Sequence, residues 1–109
     1  MDTPVVQVTT TAPSEEVAGT IAAALLDSRL AACVQVLGPM RSRYWWNGAV
    51  EESTEWLCVA KTTAANADPA VAAIVAAHPN DVPEVLVTPV TGGSPAYLDW
   101  VRHTATSSP

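Results

Sequence analysis

Apolar and polar positions along the chain change their period several times, and each change marks an element. Residues 4–10, PVVQVTT, are a short β-branched run that reads as a first strand. Pro13-Ser14-Glu15-Glu16 opens a helix: Pro fits the first turn, where its missing N–H is not needed, and the two Glu complement the positive helix end. Val17, Ile21 and Leu25 recur every fourth position with Ala18, Ala22 and Leu26 beside them, so this helix runs to about Asp27-Ser28. Residues 30–63 hold two long runs rich in β-branched and aromatic side chains, divided by Asn47-Gly48. Asn-Gly supplies the positive φ angles of a type I′ turn, which predicts a hairpin of strands 30–46 and 49–63. Residues 63–68 form a polar connection, and Asp68-Pro69 opens a second helix with Val71, Ile74, Val75 and His78 on its face, stopped by Pro79. Residues 82–90, VPEVLVTPV, read as a fourth strand and 91–94 as a loop. Residues 95–103 read as a terminal helix with Tyr97, Leu98, Trp100 and Val101 on its buried side. The tail from Thr104, TATSSP, is expected to be disordered.

The order β-α-β-β-α-β plus a terminal helix predicts an α+β, ferredoxin-like split βαβ fold: a four-stranded antiparallel sheet with two helices on one face. At 109 residues the chain is one domain. The hairpin is long for such a body. A strand of about 17 residues reaches roughly 56 Å, whereas a compact domain of this size is about 35 Å across. Gly38-Pro39 offers a bend or bulge in the arm. Its tip carries Arg43-Tyr44-Trp45-Trp46, and aromatic side chains on an overhanging arm need a cover. A second copy of the chain supplies one, with Tyr44, Trp45, Trp46 and Trp56 at the interface. The alternative is an arm folded back onto its own body.

Composition narrows the possible partners. The net charge is −6 with five basic residues, which argues against nucleic acid and anionic membranes, since both need a Lys/Arg footprint. No run of about 18 apolar residues exists to span a bilayer. The start, MDTPVVQV, lacks the basic and apolar regions of a signal peptide, so a cytoplasmic location is expected. The hairpin register sets Cys33 opposite Thr62 and Cys58 opposite Leu37. The two cysteines are then about 13 Å apart, too far to bridge, and both read as thiols.

Arg29-Leu30-Ala31-Ala32-Cys33-Val34, Tyr44-Trp45-Trp46-Asn47-Gly48, Lys61-Thr62-Thr63, His78-Pro79, Val82-Pro83-Glu84-Val85 and Tyr97-Leu98-Asp99-Trp100 together resemble the CutA divalent-cation-tolerance family. The match spans about residues 5–101, with the motifs in order and at the right spacing. The resemblance implies a ferredoxin-like fold, a tight homotrimer joined through the long strands, and a cytoplasmic protein linked to tolerance of copper and other divalent metals. Two positions depart from the pattern. The family continues His-Pro with Tyr, where this chain has Asn80, so an aromatic beside the His does not carry over. Thr10 stands where some members carry a second Cys, so a two-thiolate copper site does not carry over either.

The ligands the resemblance suggests are Cys33, His78 and Glu84, a thiolate, an imidazole and a carboxylate that together suit Cu(II) or another divalent cation. Each has a plainer reading. Cys33 in Ala-Ala-Cys-Val reads equally as a small hydrophobe of a packed strand. His78 reads equally as a cap on a helix C-terminus. Cys58 has an apolar strand context and reads as core. Lys61, the only lysine, shares a strand face with Glu55, Leu57 and Val59, where it pairs with a carboxylate or holds an anion. Glu51, Glu52 and Glu55 solvate the arm or pair with Arg41 and Arg43. No nucleophile has a general base in a recognisable motif, Gly92-Gly93-Ser94 is too short for a phosphate loop, and the two His lack metal-hydrolase spacing, so no enzyme and no obligatory cofactor is expected. The leading expectation is a homotrimer that binds divalent metal, copper first. The alternatives are a sensory scaffold in the manner of PII-like trimers, with Lys61 and Trp46 holding a small anionic metabolite in an inter-subunit cleft, and a purely structural trimeric partner.

Overall fold

A computed structural model describes residues 3–106. The elements run β1 (Val5–Ala12), α1 (Glu15–Asp27), β2 (Cys33–Trp46), β3 (Ala49–Thr63), α2 (Ala64–Ala77), β4 (Val85–Pro89) and α3 (Pro95–Thr104). The strands form one antiparallel sheet in the order β2-β3-β1-β4, the ferredoxin-like arrangement. The core lies between one sheet face and the two long helices. Val6 and Val8 of β1 and Cys58 and Ala60 of β3 meet Ala18, Ile21 and Leu25 of α1 and Ala67, Ala70 and Ile74 of α2. Small alanines bring the helices close to the sheet, so three large aliphatic side chains fill the space. α3 contacts β3 and β1, and its Val101 is fully buried. No described helix is long and apolar enough to cross a membrane.

The hairpin forms as its turn dictates. Asn47 (φ 50°) and Gly48 (φ 81°) both adopt positive φ, the type I′ requirement. From the turn to Met40 the strands keep the register the turn sets, with Trp46 opposite Ala49 and Met40 opposite Glu55. The irregularity between Leu37 and Met40 then shifts the pairing by one residue. Cys33 faces Lys61 rather than Thr62, and Cys58 faces Val36 rather than Leu37. The cysteines now lie on opposite faces of the sheet, and both are free. Gly38 sits under the Trp56 ring, where an added Cβ would meet Cδ1 at 2.5 Å.

The molecule measures 47 × 27 × 21 Å, and its radius of gyration of 14.5 Å exceeds the roughly 13 Å of a compact chain of this length. The arm does not fold back on its own body: Trp45 is 75% and Trp46 52% exposed, with Tyr44 and Val50 also exposed. Trp56 is the exception among the four aromatic residues expected at an interface, because it packs against the core of its own chain.

Several boundaries differ from the sequence expectation. α2 starts at Ala64, not at Asp68-Pro69. The Ala64 N–H donates to the Pro4 carbonyl, and alanine carries the chain into helix at once. Pro69 is accommodated because the acceptor it leaves without a bond, the Ala65 carbonyl, lies on an exposed stretch. β4 is confined to Val85–Pro89. Tyr97 and Trp100 are 43% and 44% exposed rather than buried. Thr104 and Ala105, expected in a disordered tail, are ordered: Thr104 ends α3, and Ala105 is buried with its carbonyl accepting from Asn66 Nδ2 at 2.9 Å. Residues 107–109 lie outside the described residues.

Candidate functional site

The outer part of the hairpin arm and the segment between α2 and β4 border an open groove of about 910 Å³. Arg43, Tyr44, Trp46, Glu51 and Glu55 line the arm side, and Asn80, Asp81 and Glu84 line the other. Four carboxylates thus face a cavity with an aromatic wall and one guanidinium. Arg43 is itself engaged, with Nε 3.6 Å from Glu52, which also meets Arg41 at 3.3 Å. The expected pairing of arm glutamates with Arg41 and Arg43 is therefore carried by Glu52. These pairs are exposed and contribute little to stability.

His78 borders this segment as the C-cap residue of α2 and is buried. Its Nε2 lies 2.7 Å from the Thr11 carbonyl, and its Nδ1 accepts from the Asn80 N–H at 3.1 Å. An amide N–H only donates, so Nδ1 holds the lone pair and Nε2–H donates to Thr11. Both ring nitrogens are committed. Glu84 is exposed to the groove, and its backbone carbonyl accepts from Thr10 Oγ1 at 2.7 Å.

Cys33 is elsewhere. It is partly exposed on the sheet face away from α1 and α2, paired with Lys61, which in turn pairs with Gln7. Three to four residues along β1 and two strand spacings separate it from the Thr10–Thr11 region that holds Glu84 and His78, about 15 Å in all. Among the described residues no three His, Cys, Asp or Glu side chains cluster to hold a metal ion. One chain alone does not assemble Cys33, His78 and Glu84. Burial first, then the neighbouring Cys33 thiol, pushes the pKa of Tyr97 on α3 up. Lys61 Nζ donates to Gln35 Oε1 rather than to a carboxylate. Twelve residues of β3 separate it from the position opposite Trp46, about 40 Å, so Lys61 and Trp46 do not share a cleft within one chain. Burial pushes the Cys58 thiol up, in keeping with its core position.

Thr11 is a site-shaping residue that sequence reasoning did not single out, and Thr10 drew notice only for a missing thiol, not for the bond its hydroxyl makes. The Thr10–Glu84 and Thr11–His78 contacts span 74 and 67 residues, and no local pattern announces them.

Residues 6–104 match the model of the CutA1 divalent ion tolerance protein family. The chain is 45% identical over 93 residues to the divalent-cation tolerance protein CutA of Thermus thermophilus, covering 85% of this chain and 90% of that protein. It is 34% identical over 105 residues to the chloroplastic protein CutA 1 of Oryza sativa, but spans only 59% of that longer chain. Among solved structures, the Cut A1 protein of Thermus thermophilus superposes with a TM-score of 0.89 at 43% identity, covering 92% of this chain and 97% of that one. The CutA1 protein of Oryza sativa gives a TM-score of 0.93 at 34% identity over 97% of each chain. A related structure from Archaeoglobus fulgidus is described as a periplasmic divalent cation tolerance protein, so relatives occur in more than one compartment. These names are those of tolerance proteins rather than enzymes. Motif order, sheet topology and both kinds of similarity agree, and the chain belongs to the CutA1 divalent ion tolerance family.

Proposed function

We propose that this protein acts in the cytoplasm as a homotrimer that binds a divalent cation, copper first, at sites completed between chains. The observation that carries this reading is the separation of the donors. The Cys33 thiol stands partly exposed on the sheet face its own long helices leave open, and the Glu84 carboxylate opens into the groove. Cys33 provides the soft donor and Glu84 the hard one, contributed by neighbouring chains. His78 joins them through Nδ1, which requires exchanging the Asn80 hydrogen bond for the ion. The exposed tip, Tyr44, Trp45 and Trp46, supplies apolar surface for the neighbour. Two unbridged thiols suit a reducing compartment.

Calorimetric titration of freshly reduced protein with Cu(II) and Zn(II) tests the reading, alongside Cys33→Ser, His78→Ala and Glu84→Gln, with light scattering to follow oligomeric state. The expected result is a stoichiometric site weakened at least tenfold, about 1.4 kcal/mol, by Cys33→Ser and Glu84→Gln. Weak, superstoichiometric uptake indifferent to every substitution would overturn it and leave only non-specific attraction to an acidic surface.

A further inference from the structure

The segment 79–84 has little to hold it in place. Among the described residues, no backbone–backbone hydrogen bond outside the helices and the sheet involves it. Val82, its apolar residue between the two prolines, is 77% exposed and contributes little packing. Asp81 and Glu84 on this segment line the same groove as Glu51 and Glu55 of the arm, so like-charge repulsion favours outward drift. Three hydrogen bonds oppose that drift. His78 Nε2–H reaches the Thr11 carbonyl and its Nδ1 takes the Asn80 amide, which fixes the start of the segment. Thr10 Oγ1, on a residue only 1% exposed, donates to the Glu84 carbonyl and fixes its end. Both anchors lie on consecutive residues at the end of β1, so one stretch of the central sheet grips both ends of the segment.

We infer that Thr10 and His78 are positioning residues: they clamp the segment 79–84 to the end of β1 and thereby set where Asp81 and Glu84 stand in the groove. The assignment rests on the proposed metal reading in that Glu84 and His78 are donors there; an ion on His78 Nδ1 would displace the Asn80 amide and leave the bonds to Thr10 and Thr11 in place. The clamp itself is a property of the free chain. It gives Thr10 a role in place of a ligand, since its hydroxyl is committed to a backbone carbonyl. The orientation of the His78 lone pair toward Asn80 becomes part of the same device.

The test combines amide hydrogen exchange with the Cu(II) and Zn(II) titrations, on wild type, Thr10→Val, Thr10→Ser and His78→Ala. Valine keeps the shape of threonine and removes the donor, so the fold survives and no cavity opens. Thr10→Val should speed exchange of the hydrogen-bonded amides at the two ends of the segment, Asn80 and the start of β4, by about fivefold, the loss of one net hydrogen bond, while α1 and β3 stay unchanged. It should weaken metal binding by a similar factor although Thr10 offers no ligand. Thr10→Ser should restore both, and His78→Ala should loosen the same amides. Unchanged exchange at Asn80 and the start of β4, or acceleration spread evenly over the chain, would overturn the clamp, since the hydroxyl would then have no effect there or serve only general stability. Local acceleration in a protein that takes up no Cu(II) or Zn(II) at a defined site would support the clamp and refute the metal reading alone.

Discussion

Trp45→Ser is the sharpest probe of assembly. Trp45 sits one residue before the end of β2 and is 75% exposed, so its ring makes little packing contact within its own chain. A tryptophan offers up to about 250 Å², which leaves roughly 180 Å² of mostly apolar surface for a neighbour to cover. At about 25 cal/mol/Å² that surface contributes up to roughly 4.5 kcal/mol per chain. Ordering and polar desolvation remove a large part, so about 2 kcal/mol per chain is a fair working figure. Over three chains that is about 6 kcal/mol, more than four powers of ten in the assembly constant. Sedimentation velocity across micromolar concentrations reads the effect directly. Wild type should sediment at three times the 11.4 kDa chain mass, and Trp45→Ser should dissociate on dilution with unchanged circular dichroism. A wild type that runs as a monomer would refute the interface argument outright. A variant whose trimer resists dilution as well as wild type would show that the ring stays in water after assembly.

Two further predictions concern the single chain. Gly38→Ala should lower stability by about 1–3 kcal/mol, because its Cβ would lie 2.5 Å from Trp56 Cδ1 and the ring is held against the core; urea unfolding at fixed protein concentration measures it, and an unchanged midpoint would mean the ring yields freely. The raised pKa of Cys58 makes a signed prediction. The unfolded thiol ionises first as pH rises through about 8.5, so the stability that a neutral buried thiol contributes is present below that pH and is lost progressively up to the folded pKa. Cys58→Ala should flatten this alkaline decline, and a thiol reagent should titrate one cysteine, Cys33, in native protein and both after denaturation; two fast native thiols would contradict the burial of Cys58.

What the sequence made legible was local. Asn47-Gly48 determines its own turn and, through it, the pairing from Met40 to Trp46 and the full extent of β3. Gly38-Pro39 signals an irregularity, but a two-residue signal does not say how far the register slips, and a slip of one residue changed the partners of both cysteines. The start of α2 was hidden because Thr63, Asn66 and Asp68 make the stretch read as a polar connection, and Asp68-Pro69 imitates a helix start. The face of α3 was misjudged for a different reason. A stripe of Tyr97, Leu98, Trp100 and Val101 shows that one side is apolar, not that its own chain covers all of it, and only Val101 is fully buried.

The proposed donors were named from the sequence as ingredients, with no geometry attached. Cys33 and Lys61 meet because β2 and β3 pair, and Glu84 and His78 meet Thr10 and Thr11 because β4 returns beside β1. Neither juxtaposition brings Cys33 to Glu84, since the sheet that fixes both also holds them apart. A soft donor on the open face and a hard donor in the groove converge only if a second chain presents one to the other. Metal affinity and assembly are then linked: an ion that binds only across chains stabilises the oligomer, and dilution weakens both together. Trp45→Ser and Cys33→Ser should therefore weaken metal uptake by different routes, the first relieved by raising protein concentration and the second indifferent to it.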